Sequence, residues 1–312
     1  MKQEDINQAS LVSVIIPTFN YGSFITDAIQ SVIAQTYSPV EIVVVDDGST
    51  DNTREIVGSF RDKVRYYYQE NKGVYSAVNL GLKEACGDFF ICMGADDILD
   101  KTYIEKCIDH YNKNYTPQLA FVYTQHKTFG LRCGLSQYPE YNLDLLKQKN
   151  YIMGTSLINT AIARKFYFDL SFNQGCGDYD FYLTLAENEF YGKLLDEPLL
   201  KYRIHKGSIT SNVRKQALQK MLMKKLIEKH KSIYNRYDRM RALQQASNKI
   251  INSVVQNRSN QANIAIRLKE LFYLAGAGCK DTQLAYQILY TVSPNLLNAW
   301  IAWRQRARPN RV

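Results

Sequence analysis

The sequence predicts an α/β fold in which a mostly parallel sheet is flanked by helices and followed by a mainly helical C-terminal extension. Apolar, β-branched runs alternate with segments of helical periodicity through the first hundred residues, an order typical of parallel sheets. The runs are apolar throughout, as a sheet covered on both faces requires. A chain of 312 residues, 46% of them hydrophobic, is long enough to enclose such a sheet.

Four predicted strands and three predicted helices account for residues 11–97. The strands are LVSVIIP (11–17), EIVVVDD (41–47), VRYYYQE (64–70) and DFFICMGADD (88–97). The helices between them are FITDAIQSVIAQ (24–35), TDNTREIV (50–57) and VYSAVNLGLKEA (74–85). Apolar residues recur at helical spacing in the first helix, and Asp51 or Asn52 is expected to cap the second.

Two of the predicted strands end in paired carboxylates. Asp46 and Asp47 end the second strand, and Asp96 and Asp97 end the fourth. Ligands of open parallel sheets bind at the carboxyl ends of the strands, so these acids are expected to face a crevice. The alternative for the first pair is a plain turn and helix cap, which the residues after Asp47 also suit. No dinucleotide or P-loop motif follows the first strand, where PTFNYGSF (17–24) has one glycine.

Charge divides the chain into an acidic front and a basic tail. Residues 1–200 carry 17 Lys and Arg against 26 Asp and Glu, whereas residues 201–312 carry 22 against 4. The positive charge of the tail is the sole feature of the sequence that suggests nucleic-acid binding. Because charge by itself is a weak indication, we predict no nucleic-acid partner.

The start of the chain and its cysteines predict the compartment. The first ten residues, MKQEDINQAS, carry acids and amides where a signal peptide has a basic patch and an apolar core, and the sequence has no apolar run of membrane-spanning length. The six cysteines form no CxxC pair, which favours reduced thiols over a zinc site or a disulfide framework. We therefore expect a cytoplasmic protein with a disordered lead at residues 1–10.

Four ordered motifs resemble the nucleotide-sugar half of the family 2 inverting glycosyltransferases, which have the GT-A fold. They are VSVIIPTFNYGSFITDAIQSVIAQTY, EIVVVDDGSTDNT, QENKGVYSAVNLGL and GDFFICMGADDIL. FDLSFNQGCGDYDFYLTLAE (168–187) is similar to the acceptor-side segment of that family, and LLKYRIHKGSIT (199–210) to its closing loop. The resemblance implies a GT-A domain at 11–212, followed by a basic helical region at 213–312.

The resemblance implies an inverting transfer of a sugar from a nucleoside-diphosphate sugar, a UDP-sugar first, to an acceptor hydroxyl. The implied acceptor is a glycan or a lipid-linked oligosaccharide, as in surface polysaccharide synthesis. Two alternatives stay open: a noncatalytic nucleotide-sugar binding protein, and a sugar nucleotidyltransferase. The second would normally need a glycine-rich basic loop after the first strand, and PTFNYGSF lacks one.

By resemblance, the donor nucleotide is held by residues at the ends of the first, second and fourth strands. Asp47 is expected to accept a hydrogen bond from the N–H of the base, and Phe19 to stack on the ring. Pro17 and Thr18 are expected to line the same pocket, and Asp96 to contact the ribose. The alternative for Phe19 is packing in the core.

The leaving diphosphate requires positive charge, which a divalent cation such as Mn²⁺ or Mg²⁺ supplies. The resemblance makes Asp97 the metal ligand. His205 is a candidate second ligand, with a structural role as the alternative. Arg203 or Lys206 is expected to hold the phosphates as the loop closes.

A carboxylate that faces the anomeric carbon can deprotonate the acceptor hydroxyl. Asp178 matches the general base of the family, and Asp180 is the fallback. The alternative for Asp178 is that it caps the helix that follows.

Three positions depart from the pattern of the family. Many relatives have an acid at Gly94, an acid at Gly177 and an arginine at Val78. The central carboxylates are kept, so the departures bear more on the identity of the donor than on the type of reaction.

The basic tail is predicted to form amphipathic helices at MLMKKLIEKHKSIYNRY (221–237), NIAIRLKELFYLAGAG (263–278) and LLNAWIAWRQRARPNRV (296–312). In the last of these, Leu296, Trp300 and Trp303 share a helical face and an arginine cluster follows. Tryptophans beside arginines suit an anionic membrane surface, so we expect a peripheral protein on the inner face of the membrane. The alternative is packing on the catalytic domain or on a second subunit of a homo-oligomer.

Overall fold

The computed structural model describes residues 9–205, 214–239 and 241–242, and it gives the backbone alone for 214–220. All of them belong to one compact unit, Met1–Leu243. Lys206 and the two predicted helices at 263–278 and 296–312 lie outside the described residues.

Nine strands of the described residues form one sheet. They are β1 (Val12–Thr18), β2 (Val40–Asp46), β3 (Val64–Tyr68), β4 (Phe89–Cys92), β5 (Ile98–Leu99), β6 (Leu119–Gly130), β7 (Gly134–Ser136), β8 (Leu157–Asn159) and β9 (Tyr191–Ile204). Their order is β3-β2-β1-β4-β8-β6-β9-β5, and β7 pairs with β6. The first four strands are parallel, whereas β8, β5 and β7 run antiparallel to their neighbours. The predicted mostly parallel sheet is therefore confirmed for the half that carries the paired carboxylates.

Helices flank this sheet. They are α1 (Gly22–Ile33), α2 (Thr53–Gly58), α3 (Val74–Glu84), α4 (Tyr103–Lys113), α5 (Leu143–Leu146), α6 (Thr160–Ala163), α7 (Gly177–Glu187) and α8 (Arg214–Lys229), with a 3₁₀ turn at Leu170–Phe172. Asn52 is the N-cap residue of α2 by position, but the side chain that bonds the first turn is Asp51, which accepts the Thr53 N–H at 3.0 Å.

The core consists of two clusters. Alternate residues of β1 point to opposite faces, so Val14 and Ile16 belong to one cluster and Ile15 to the other. Burial of each such side chain contributes about 1.5–3 kcal/mol. Val78, at the position where many relatives have an arginine, is 1% exposed and packs in the cluster of Ile15.

The fourth predicted strand is shorter than expected. We predicted a strand over 88–97, but β4 ends at Cys92 and the chain then turns before β5 begins at Ile98. The turn includes Gly94, whose carbonyl accepts the Asp97 N–H at 3.2 Å. Asp96 and Asp97 therefore lie in a turn after the strand and not in the strand itself.

The described part of the basic tail packs on the core. Leu222 and Leu226 of α8 and Tyr234 beyond it belong to the same cluster as α7. The Tyr234 hydroxyl donates to the Lys147 carbonyl at 2.8 Å, and Lys147 pairs with Asp238 at 2.7 Å. The boundary after residue 212 stays a prediction, and residues up to 242 contribute to the core of the sheet domain.

Among the helices that the structure describes, none is long and apolar enough to cross a membrane.

Candidate functional site

The two carboxylates at the end of β2 have different partners. Asp46 stabilises the structure around the end of β2. Its carboxylate accepts hydrogen bonds from the Ser49 N–H at 2.7 Å and from the Tyr66 hydroxyl at 2.8 Å. Asp47 faces the turn before α3, which includes Lys72 and Gly73. The plain turn-and-cap interpretation therefore describes Asp46 and leaves Asp47 to be explained.

Asp47 is held in place by three donors and keeps room for a fourth. One of its oxygens accepts the Gln69 side-chain amide at 2.6 Å and the Lys72 N–H at 2.9 Å, and the other accepts the Gly73 N–H at 2.9 Å. An ionised carboxylate has about four acceptor positions. One position remains on the oxygen that faces Gly73, which suits a ligand N–H.

The end of β1 lies beside Asp47, because the Asp47 N–H donates to the Thr18 carbonyl at 2.8 Å. The Thr18 hydroxyl is buried, with no hydrogen-bond partner within the described residues. Such groups are costly unless something bonds them, so this one suits a ligand. Phe19 is 41% exposed, so the alternative that it packs in the core is wrong. Pro17, before them, pairs with Val45 in the sheet.

Asp96 and Asp97 bring two carboxylates together in the turn after β4. Asp97 is 3% exposed, and one of its oxygens accepts the Arg203 N–H at 3.0 Å. Burial and the neighbouring Asp96 carboxylate raise the pKa of Asp97 to about 8. A buried carboxylate beside a second one favours a bound cation, because a cation offsets both the desolvation and the repulsion.

Gly94 allows oxygens of both carboxylates to pack against its backbone. A Cβ atom at Gly94 would lie 2.9 Å from one oxygen of Asp96 and 2.9 Å from one oxygen of Asp97. Oxygen ligands of this kind are those that Mg²⁺ and Mn²⁺ prefer. The pair therefore fits a hard divalent cation, although no group of three or more His, Cys, Asp or Glu side chains in the described residues is arranged to hold a metal.

The end of β9 borders the same turn. The His205 ring nitrogen lies 3.0 Å from an oxygen of Asp96, and the ring packs against Tyr21 and Phe24. His205 thus contacts the carboxylate expected to meet the ribose, and its role as a metal ligand stays a prediction.

Arg203 organises this turn. Its guanidinium donates to the Asp96 carbonyl at 2.8 Å, pairs with Asp27 at 2.7 Å and lies over the rings of Phe24 and Phe129. The phosphate role expected for Arg203 stays a prediction.

Asp178 lies in the first turn of α7, whose N-cap residue is Cys176. Asp178 is thus not the N-cap residue by position, but it bonds a first-turn N–H, that of Tyr179, so the alternative that it caps the helix stays open beside the role of base. Its carboxylate accepts the Asn150 side-chain amide at 3.0 Å and the Tyr179 N–H at 2.8 Å. Burial raises the pKa of Asp178 above its ordinary value, against the lowering effect of these hydrogen bonds. A base with a raised pKa is better matched to proton transfer near neutral pH.

Asp178 lies near the carboxyl end of β4. Burial and the nearby Asp178 carboxylate raise the pKa of Cys92, the last residue of that strand, to about 12. The Asp178 N–H also donates to the hydroxyl of Tyr75 at 3.1 Å, two residues after the Gly73 N–H that bonds Asp47, so the carboxylate on α7 lies near the segment that holds Asp47.

Asp180, the fallback base, is committed to the fold. It is 2% exposed, and its two oxygens bond His230 at 2.9 Å and Lys229 at 2.8 Å. His230 also bonds Glu187 at 2.8 Å, and Lys229 also pairs with Asp169 at 2.8 Å. The structure contradicts the fallback, because the two oxygens of Asp180 tie α7 to the last residue of α8 and to the residue after it.

Three residues that contact the predicted carboxylates were missed from the sequence: Gln69 at Asp47, and Tyr75 and Asn150 at Asp178. Gln69 and Tyr75 lie within QENKGVYSAVNLGL, so position within a motif could have identified them. Asn150 lies in a loop between α5 and β8 and carries no sequence signal.

Residues 13–169, half of the chain, match the model of the family described as Glycosyl transferase family 2. The chain is 27% identical over 316 aligned positions to the hyaluronan synthase of Pasteurella multocida, covering 96% of this chain and 31% of that protein. It spans about a third or less of the length of the curated relatives it matches.

Two solved structures have a similar fold. S. aureus TarS 1-349 in complex with UDP-GlcNAc has a TM-score of 0.62 and 21% identity, covering 80% of this chain and 76% of that one. The mannosyltransferase PcManGT from Pyrobaculum calidifontis, in complex with GDP-Man and Mn²⁺, has a TM-score of 0.58 and 16% identity, covering 95% and 84%. Both support the α/β sheet architecture described above.

Proposed function

Because the chain belongs to glycosyl transferase family 2, we propose that it transfers a sugar from a nucleoside-diphosphate sugar to an acceptor hydroxyl with inversion at the anomeric carbon. The observation that carries the proposal is a set of three carboxylates: Asp47 after β2, Asp97 after β4, and Asp178 of α7, which contacts Tyr75 two residues after the Gly73 N–H that bonds Asp47. They come from distant parts of the chain. Asp47 suits the nucleobase of the donor, Asp97 the leaving diphosphate through a cation, and Asp178 the acceptor hydroxyl.

We propose a UDP-sugar as the donor, with UDP-GlcNAc as the first to test. The free acceptor position of Asp47 suits the N–H of uracil, the exposed ring of Phe19 suits stacking, and the buried Thr18 hydroxyl suits a further hydrogen bond. TarS has been solved with UDP-GlcNAc, and the hyaluronan synthase is a polysaccharide-building relative. GDP-Man, bound by PcManGT, is the competing donor class.

Asp97, with Asp96 or His205 beside it, is proposed to hold Mn²⁺ or Mg²⁺. A cation bound there would supply positive charge to the leaving diphosphate. Asp96 is proposed to contact the ribose, and Arg203 and Lys206 the phosphates.

In the proposed step, the acceptor oxygen attacks the anomeric carbon from the side opposite the diphosphate. The new carbon–oxygen bond forms as the bond to the diphosphate breaks, the diphosphate keeps the electron pair, and Asp178 takes the acceptor proton. Water in place of the acceptor gives the same balance and yields free sugar and UDP. Donor hydrolysis therefore reports the chemistry before the acceptor is known.

We propose a glycan or lipid-linked acceptor and a peripheral location on the inner face of the membrane. Trp300, Trp303 and the arginines that follow support it by composition alone. Co-sedimentation with anionic but not neutral vesicles, weakened by removal of residues 296–312 and by salt, is the expected result. Equal partitioning of full-length and truncated protein onto anionic vesicles would favour packing or a homo-oligomer for this segment.

The experiment for the function combines donor binding with turnover. Thermal stabilisation is measured with and without Mn²⁺ for UDP-GlcNAc, UDP-glucose, dTDP-glucose and GDP-mannose, and release of the nucleoside diphosphate is measured for each. We expect metal-dependent stabilisation by a UDP-sugar together with slow release of UDP. Stabilisation without any release, with water and with glycan acceptors, would favour the noncatalytic binding protein.

A further inference from the structure

The N-cap residue of helix α7 supplies no side-chain cap. This residue, Cys176, has a left-handed backbone with φ of 65°, and its side chain makes no capping hydrogen bond. The first N–H groups of a helix have no partner within the helix and need one elsewhere. In α7 the Asp178 N–H donates to the hydroxyl of Tyr75, on α3, at 3.1 Å. A tyrosine from another helix therefore caps α7 at the residue proposed as the base.

The ring of Tyr75 occupies the space beside Gly177. A Cβ atom at Gly177 would lie 2.3 Å from the ring, a distance that real Cβ atoms do not reach. The Tyr75 ring can therefore occupy this position only because residue 177 has no side chain.

Stacked aromatic rings fix Tyr75 relative to α7. The Tyr75 ring stacks on Phe168 with centroids 5.5 Å apart, and Phe168 stacks on Phe181 of α7 at 4.4 Å. The Tyr75 N–H also donates to the Asn173 side chain at 3.0 Å. The hydroxyl is thus held at the start of α7 by contacts that do not depend on the hydroxyl itself, so its removal should leave the ring in place.

The same hydroxyl faces the carboxylate of Asp178. It lies 3.5 Å from one oxygen, a long hydrogen bond, while Asn150 donates to the other at 3.0 Å. The titratable groups coupled to Asp178 are Tyr75 on α3, Cys92 on β4 and Tyr182 on α7. Burial raises the pKa of all three, so they stay neutral while Asp178 titrates.

We propose that Tyr75 is a positioning residue for Asp178, that its hydroxyl holds the first turn of α7 and the base on it, and that Gly177 is the residue that admits the ring. The proposal rests on the proposed function, since it assigns Tyr75 a role through the base. It adds to that function a contact that a side chain at position 177 would exclude.

The experiment compares Tyr75→Phe with Tyr111→Phe as the matched control. Tyr111 is also buried, and its hydroxyl donates to the Leu119 carbonyl at 3.0 Å in the other core cluster. Release of UDP from UDP-GlcNAc with Mn²⁺, or from the most active donor of the panel above, is measured as kcat and KM across pH. Thermal stabilisation by the same donor reports its binding.

We expect Tyr75→Phe to lower kcat about 10-fold with little change in KM, because a small displacement of a catalytic group has a large effect on turnover while donor binding is untouched. The acid limb of the kcat profile should also move to higher pH, because a hydrogen bond that favours the ionised carboxylate is lost. Tyr111→Phe should change neither. Unchanged kcat and acid limb in Tyr75→Phe would overturn the proposal.

A double-mutant cycle tests the pairing with Gly177 independently of the hydroxyl. Gly177→Ala should lower kcat strongly beside Tyr75 but have little further effect in a Tyr75→Ala background, where the ring is gone. Equal effects of Gly177→Ala in both backgrounds would overturn the pairing. Asp178→Asn separates the two levels: if it keeps wild-type turnover, the base assignment fails and takes this proposal with it. If it loses turnover while Tyr75→Phe behaves as wild type, the positioning role alone fails.

Discussion

The carboxylates after the strands and the carboxylate on α7 are held by different kinds of neighbour. Asp47 takes its three hydrogen bonds from residues 69–73, within the next β–α segment of the chain. Asp178 takes its side-chain contacts from Tyr75 and Asn150, which are 103 and 28 residues away. Asp47 is thus held by one neighbouring β–α segment, whereas Asp178 is held from two separate segments, one of them 103 residues away. Asp97 and Asp96 also draw on a distant strand, since Arg203 and His205 contact them from 106 and 109 residues away.

The two regions also divide their carboxylates differently. At β2 the two members of an adjacent pair have separate partners, since Asp46 accepts from Ser49 and Tyr66 whereas Asp47 accepts from residues 69–73 before α3. On α7 the fold carboxylate is Asp180 and the other is Asp178, two residues before it. In both regions an aspartate that bonds other parts of the fold lies within two residues of the aspartate that is proposed for the site. The residue type alone does not distinguish the two.

The largest expected effect separates the two acids of α7. Asp178→Asn should lower transfer and donor hydrolysis by about 10²–10⁴-fold, because a general base contributes that much, while metal-dependent donor binding is kept. Asp180→Asn should instead lower the free energy of unfolding by about 3 kcal/mol, since it breaks a buried network with Lys229 and His230. Turnover kinetics and thermal unfolding of both variants make the measurement.

One result would contradict the roles given to Asp178 and Asp180. If Asp180→Asn loses turnover while it unfolds at the wild-type temperature, and Asp178→Asn stays active, the two roles have been assigned to the wrong residues.

The second effect concerns the donor side. Asp97→Asn should abolish the Mn²⁺-dependent part of UDP-GlcNAc binding, because it removes the buried charge proposed to hold the cation. At a donor concentration a hundred times Kd, the stabilisation lost is about 2.7 kcal/mol. Asp100→Asn is the matched control. It removes the same charge three residues further along the chain, and the Asp100 carboxylate bonds Thr102. Wild-type donor affinity in Asp97→Asn with Mn²⁺ present would contradict the assignment.

The third effect is a pH dependence. Burial raises the pKa of Asp178 above its ordinary value, so the carboxylate becomes protonated at a higher pH than an exposed aspartate does. A protonated carboxyl cannot act as a base. Turnover should therefore fall as the pH is lowered through the raised pKa, on an acid limb above the range of ordinary aspartates. Donor binding is measured at each pH as well. If donor binding falls over the same pH range as turnover, the acid limb reports a group that binds the donor and not Asp178.

The contrast between the two regions explains what the sequence could predict. The order of β1 to β4, the helices between them and the acids after β2 could be predicted because alternation and strand-end chemistry are local properties. The end of β4 could not, because Gly94 and Asp97 close a turn that the apolar run does not reveal. The commitment of Asp180 could not either, since its partners Lys229 and His230 are 49 and 50 residues away.

The smallest expected effect tests whether an exposed ring on the donor side is used. Phe19 is 41% exposed after β1, where packing does not explain it, and stacking on a base contributes about 1–3 kcal/mol. Phe19→Ala should raise the KM for UDP-GlcNAc about 5–10-fold with little change in kcat or in the unfolding temperature, whereas Phe19→Tyr should keep the affinity. Tyr115→Ala, at an aromatic residue that is 55% exposed just after α4, removes a similar surface ring. If Phe19→Ala changes KM no more than Tyr115→Ala does, the ring is an ordinary surface aromatic, and the base must be held by Asp47 and Thr18.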